Sequence, residues 1–220
     1  MIRALALLSL GRFAQGWEDY EERKLVYPIF AVRKFPHAEW TGGDLAGRRL
    51  LVVHEQGLGD EIMFASCFRD VLRAAPECVI ECSEKLAPLF RRSFKAAAIV
   101  VADQANPDLD YLQSQPAIDC RVAAGSLPRI YRRHLRDFPV EAGYLAADAA
   151  AIQRWKERLR LAVDVRRPSI GLSWRGGTAS TNQRGRSVTL TLLKEQLAST
   201  RCNFVSLQYG VRAEDLAVLN

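Results

Sequence analysis

The 220-residue chain is 49% hydrophobic and 25% charged, the balance of a globular protein with a sizeable core and not of a disordered tail. Its longest apolar runs, such as Ala96 to Ala102, fall far short of the ~20 residues a membrane-spanning helix needs, so no transmembrane segment is expected. The net charge of +6 gathers in Arg129–Arg136 and Arg154–Arg167, patterns of solvated helix faces that give little reason to expect nucleic acid as a partner.

Met1 to Leu8 has the superficial look of a secretory signal, but no small-residue cleavage site follows it. The five cysteines (Cys67, Cys78, Cys82, Cys120 and Cys202) are odd in number and form no C-x-x-C. They read as thiols of a reducing compartment, so a cytoplasmic location is expected.

In chain order, residues 1–26 read as two short helices. Ala4, Leu5, Leu7 and Leu8 form one apolar stripe, Phe13, Trp17 and Tyr20 recur at helical spacing in the next, and Gly11 separates them. Residues 27–47, with Pro36, Gly42 and Gly43, read as a linker. Residues 48–147 then alternate strands and helices. Leu50–Val53 is a continuously apolar strand of the kind buried on both faces of a parallel sheet, and a helical stretch runs from Asp60 to about Ala75. Cys78–Cys82 is the next strand, with Ser83 placed to cap a helix reaching Phe94, although Pro88 is an alternative start. Strands over 98–102 and 118–122 and a helix over 126–136 complete a doubly wound α/β lobe. Residues 148–167 read as a connector helix. Residues 168–220 open a second strand–loop–helix series with strands at 169–174 and 204–207, expected to be an incomplete lobe because a doubly wound domain uses five or six strands.

Two loops follow leading strands, where open α/β sheets bind ligands. The first holds His54, Glu55, Gln56, Gly57, Gly59 and Asp60. Its glycines suit a tight turn. Asp60 at a helix start suits either a general base or a simple cap. The third glycine of a dinucleotide fingerprint is replaced by Ile62, and no G-K-[ST] of a P-loop follows. The second loop carries Arg175, Gly176, Gly177, Thr178, Arg184, Arg186 and Ser187, the chemistry of a diphosphate cradle or of a surface loop. Asp108-Leu-Asp110 has D-x-D form but sits in a Pro- and Asn-containing turn, and no metal site is expected there.

The Leu10-Gly-Arg-Phe-x-x-Gly-Trp-x-x-Tyr-Glu21 pattern resembles a tetratricopeptide unit, although an ordinary amphipathic hairpin fits as well. The strings His54–Ala65, Gly125–Arg129 and Gly171–Gly177 resemble bacterial tetratricopeptide-repeat proteins that end in a glycosyltransferase module similar to the lipopolysaccharide heptosyltransferases of the GT-B fold. That resemblance implies inverting, metal-independent transfer, without a cofactor, from a nucleoside-diphosphate sugar to a hydroxyl acceptor on a glycan or protein, in a cleft between two Rossmann-like lobes. It makes Asp60 the general base and the residues from Arg175 to Ser187 the donor-phosphate loop. It also implies that the main donor segment lies beyond residue 220, so that these residues alone are expected to be inactive. The alternative expectation is a non-enzymatic module that binds a protein partner through its tetratricopeptide-like helices, with a degenerate α/β scaffold.

Overall fold

The structure, a computed structural model, describes residues 1–102, 107–140, 143–176 and 183–219. Two compact units divide the chain, Met1–Asp148 and Ala149–Asn220.

The first unit is a mixed α/β fold on a five-stranded, all-parallel, Rossmann-like sheet. Helices α1 (Ile2–Ser9) and α2 (Phe13–Tyr20) come first and pack against each other. Gly11 turns between them at φ 73°, and a Cβ on Gly16 would stand 2.7 Å from the Leu8 side chain, which is how closely the two helices approach. The stretch expected as a linker is partly ordered. It holds helix α3 (Pro28–Val32) and the short strand β1 (Ala38–Glu39), which finds a partner at the sheet edge.

Strands β2 (Leu50–Val53), β3 (Cys78–Cys82), β4 (Ala98–Val101) and β5 (Cys120–Ala123) complete the sheet in the order β1-β5-β2-β3-β4. Every residue of β2 and β3 is buried. Because side chains alternate along a strand, these apolar runs feed two cores. Leu50, Val52, Cys78, Ile80, Cys120 and Val122 meet Phe64, Phe68, Phe90 and Phe94 on one face. Leu51, Val53 and Val79 meet Phe35, Val100, Leu112 and Ile118 on the other. Phe68, Phe90 and Phe94 pack edge to face, with ring centroids 5.2–5.7 Å apart. On the second face Glu81 accepts two hydrogen bonds from the buried Arg33, at 2.9 and 3.0 Å.

The helices depart from the pattern read in the sequence. The expected Asp60–Ala75 helix is two, α4 (Leu58–Phe64) and α5 (Phe68–Ala74), with a 3-10 turn over Ala65–Cys67 between them. Helix α6 (Ala87–Ser93) has Pro88 in its first turn, where a proline ring is at home, and the Ser83 side chain does not cap it. Helix α7 is only Leu127–Tyr131. All five cysteines are free.

In the second unit, α8 (Ala149–Ala162) has no buried residue. Strands β6 (Ser169–Leu172) and β7 (Asn203–Ser206) pair in parallel. Helix α9 (Leu190–Leu197) is capped by the Thr189 side chain, and α10 (Ala213–Leu219) follows. Among the described residues, no helix is long and apolar enough to cross a membrane.

Candidate functional site

The chain leaves β2 toward β3 on one side, while β5 lies on the other, so the sheet's switch point opens between the carboxyl ends of β2 and β5. A side chain from the N-terminal helices fills it. Arg23, in the 3-10 turn after α2, is completely buried, as is Glu55. Its Nε donates to Glu55 Oε2 and its Nη2 to Glu55 Oε1, both at 2.8 Å. Nη2 also donates to Ser126 Oγ at 2.9 Å, and Nη1 to the Tyr20 carbonyl at 3.2 Å and to Glu21 at 2.8 Å. The Gly125 amide completes the cluster by donating to Glu55 Oε1 at 2.7 Å. Burial works against the Arg23 charge, but hydrogen bonds and attraction from Glu55 and Glu21 hold the guanidinium above its ordinary pKa. Gly125 is there for space: a Cβ would lie 2.7 Å from Glu55 Oε1 and 3.0 Å from Arg23 Nε.

This arrangement reassigns part of the first loop. Glu55 is engaged with Arg23 and the Gly125 amide. Gln56 accepts a hydrogen bond from Tyr20 Oη at 3.2 Å, so the same helices also hold the next residue. The sharp turn belongs to Gln56, at φ 65°, and not to the glycines: Gly57 is the extended N-cap of α4, and Gly59 lies in the helix. Asp60, half-buried, accepts from the Gly57 amide at 3.1 Å and so caps α4.

Beside the filled crevice lies an open one. At the carboxyl ends of β2, β3 and β4 a hollow of about 470 Å³ is bounded by His54, Gln56, Glu61, Ser83, Glu84 and Val101, with Gly57 and Leu58 at its α4 side. His54 and Glu61 are buried, with Nδ1 3.5 Å from Glu61 Oε2. The same oxygen accepts from the Ser83 amide at 2.9 Å. The Ser83 hydroxyl oxygen is itself buried and has no hydrogen-bond partner among the described residues. Nothing in the spacing of the sequence singled out Ser83 or Glu84 for this role.

In the second unit, Arg175 pairs with Ser187 through an isolated antiparallel bridge. Its guanidinium grips Asp215 of α10 with both terminal nitrogens, Nη1 donating to Oδ1 at 2.9 Å. The buried Trp174 indole donates to the same Oδ1 at 3.1 Å, and the Arg212 amide to Oδ2 at 2.9 Å. The Arg175 hydrogen bonds are the main reason the Asp215 carboxyl sits well below the usual carboxylate range. Gln208 Oε1 accepts from the amides of Trp174 and Arg175, at 3.0 and 2.8 Å, tying the end of β6 to the residues after β7. Gly176 and Arg186 are exposed. Gly177, Thr178 and the Arg184 side chain lie outside the described residues. In the first unit, the Asp108 carboxylate accepts from the Asp110 amide at 2.7 Å, an Asx turn.

No protein-family profile matches the chain, and no solved structure matches it. The chain is 32% identical to Protein FlbA of Caulobacter vibrioides over an alignment of 225 positions that covers 98% of this chain and 37% of the length of that relative.

Proposed function

We propose that the chain is part of an inverting, metal-independent glycosyltransferase of GT-B type, preceded by a tetratricopeptide-like helix pair. The observation that carries this reading is the polar hollow at the carboxyl ends of β2–β4, with the β2–α4 loop forming one wall. Ligands gather at that edge of parallel sheets. In the reaction proposed, an acceptor oxygen bonds to the anomeric carbon of the donor sugar as the bond from that carbon to the phosphate oxygen breaks. The nucleoside diphosphate leaves with the electron pair, and the acceptor proton passes to Asp60. Asp60 does not itself line the hollow; among the described residues its carboxylate accepts one hydrogen bond, from the amide of Gly57, which does, and this leaves lone pairs for that proton. Guanidinium groups of the β6–α9 loop, Arg186 among them, would compensate the charge of the leaving diphosphate. Arg175, gripped by Asp215, would hold the base of that loop.

The test is nucleotide release and sugar transfer by the full-length natural protein across a panel of nucleoside-diphosphate sugars. Asp60→Ala is expected to lower turnover by roughly 10²–10⁴-fold, the range of general-base catalysis. Full turnover in that variant removes Asp60 from the mechanism. The competing reading, a non-enzymatic interaction module, draws on the apolar residues that α1 and the turn after it expose, Ile2, Leu5 and Leu10. No nucleotide release with any donor would favour it.

A further inference from the structure

The charge of the hollow says what can enter it. Its described lining brings together two carboxylates, Glu61 and Glu84, and contains neither lysine nor arginine. Glu61 is buried, with a histidine as its one ion-pair partner among the described residues, and Glu84 is exposed. A cleft lined by one sign of charge focuses its field on whatever enters and repels ions of the same sign. The positive end of α4, which could otherwise draw in an anion, is occupied by the Asp60 carboxylate. The unpartnered Ser83 hydroxyl can both donate and accept, and a buried hydroxyl left unpaired costs stability that a ligand hydroxyl would recover.

We propose that this hollow is a subsite for uncharged, hydroxyl-bearing acceptors and discriminates against phosphorylated or otherwise anionic ones, with Ser83 making a polar contact and Glu61 and Glu84 supplying the repulsion. The name acceptor subsite rests on the transfer reading above; the charge selectivity does not. Ser83 Oγ meets one acceptor hydroxyl. Glu61, paired with His54, gives the wall its negative charge. Gln56 and the methyl groups of Val101 complete the wall, a mixture that suits a polyol or a hydroxylated side chain.

Leu58 is 41% exposed on the hollow's rim, so Leu58→Cys places a thiol there. A Cys202→Ser background leaves only buried native cysteines. The measurement is the ratio of reaction rates with neutral methyl methanethiosulfonate and with its sulfonatoethyl anion, divided by the same ratio for N-acetylcysteine amide. The neutral reagent is expected to be favoured about tenfold. A ratio of one or less overturns the proposal. Adding Glu61→Gln and Glu84→Gln is expected to abolish the preference, and an unchanged preference overturns its assignment to these carboxylates.

Protection of the introduced thiol from the neutral reagent then identifies the hydroxyl source. Protection by a methyl glycoside assigns the subsite to a glycan, and by a blocked threonine amide to a polypeptide. Ser83→Ala is expected to weaken either protection by roughly 2- to 10-fold. Protection by glucose phosphate equal to that by the neutral probes, or protection by neither neutral probe, overturns the proposal. A chain that releases no nucleotide from any donor sinks sugar transfer and leaves the thiol ratios standing, so the two failures are separable.

Discussion

Each unit places an arginine–carboxylate pair just beyond a parallel strand, β2 in the first and β6 in the second, but with the roles exchanged. In the first, the carboxylate belongs to the strand end, Glu55, and the cation comes from the helices before the sheet, Arg23. In the second, the cation follows the strand, Arg175, and the carboxylate comes from the later helix α10, Asp215. The first pair is wholly buried, side chains 0% and 0% exposed; the second is nearly so, at 11% and 4%. Glu55 and Arg175 are both candidate site residues in the sequence, and in both units they are engaged in holding their loop. In the reading proposed above, the chemistry falls to their neighbours, Asp60, Glu61 and Ser83 in the first unit and Arg186 in the second.

The sharpest way to break the comparison is to remove the buried cation. Arg23→Met leaves Glu55 charged and uncompensated, and is expected to destabilise the first unit by about 3–5 kcal/mol in denaturant titration. Adding Glu55→Leu should restore part of that loss, because an apolar pair no longer strands a charge, although the Gly125 amide loses its acceptor. A single mutant as stable as the parent would mean that the pair holds nothing together. Next in size is Gly125→Ala. The added methyl must displace a Glu55 carboxylate that Arg23 fixes at two points, at an expected cost of about 1–3 kcal/mol in the same titration.

The strands were legible because burial leaves a local mark. The unbroken apolar run at 50–53, and the run at 78–82 interrupted only by Glu81, are what parallel strands covered on both faces require, and the structure buries every residue of both. The expected Asp60–Ala75 helix failed in its middle, where a 3-10 turn over Ala65–Cys67 lets α4 and α5 each present aromatic residues to the core. The ion pairs left no comparable mark. Arg23 lies 32 residues before Glu55 and 103 before Ser126, and only the folded topology brings them together. One hint was available: a carboxylate two residues beyond a fully apolar strand, if buried, has to find a cation or a donor. Asp215, 40 residues beyond Arg175, offered none.

The second pair should show itself through pH. Arg175 depresses the Asp215 carboxyl in the folded state, so the stability it contributes is fully present above the unfolded value near about 4. That contribution is lost as pH falls below this value toward the folded one. The melting temperature of Asp215→Asn is therefore expected to lie below that of the parent at neutral pH, with the gap closing only under strongly acidic conditions. A gap constant across the range would mean that the carboxylate contributes by shape alone, through the Trp174 and Arg212 contacts that an amide can partly keep.

The smallest expected effect is of opposite sign and bears most directly on function. The sequence assigns Gly59 to the turn, but Gln56 takes the left-handed conformation and Gly59 sits exposed in the first turn of α4. A Cβ there would meet nothing within 4 Å. Nothing in the fold requires a glycine, and Gly59→Ala is expected to stabilise the chain by up to about 0.5–1 kcal/mol in thermal melts, since alanine loses less backbone entropy in a helix. A loss of stability would point to a contact at Gly59 that the fold does not provide. If transfer falls while stability rises, the methyl is obstructing something that approaches the α4 backbone from solvent, as a ligand at the rim of the hollow would. Unchanged transfer would confine ligand contact to the His54, Glu61 and Ser83 side of the hollow.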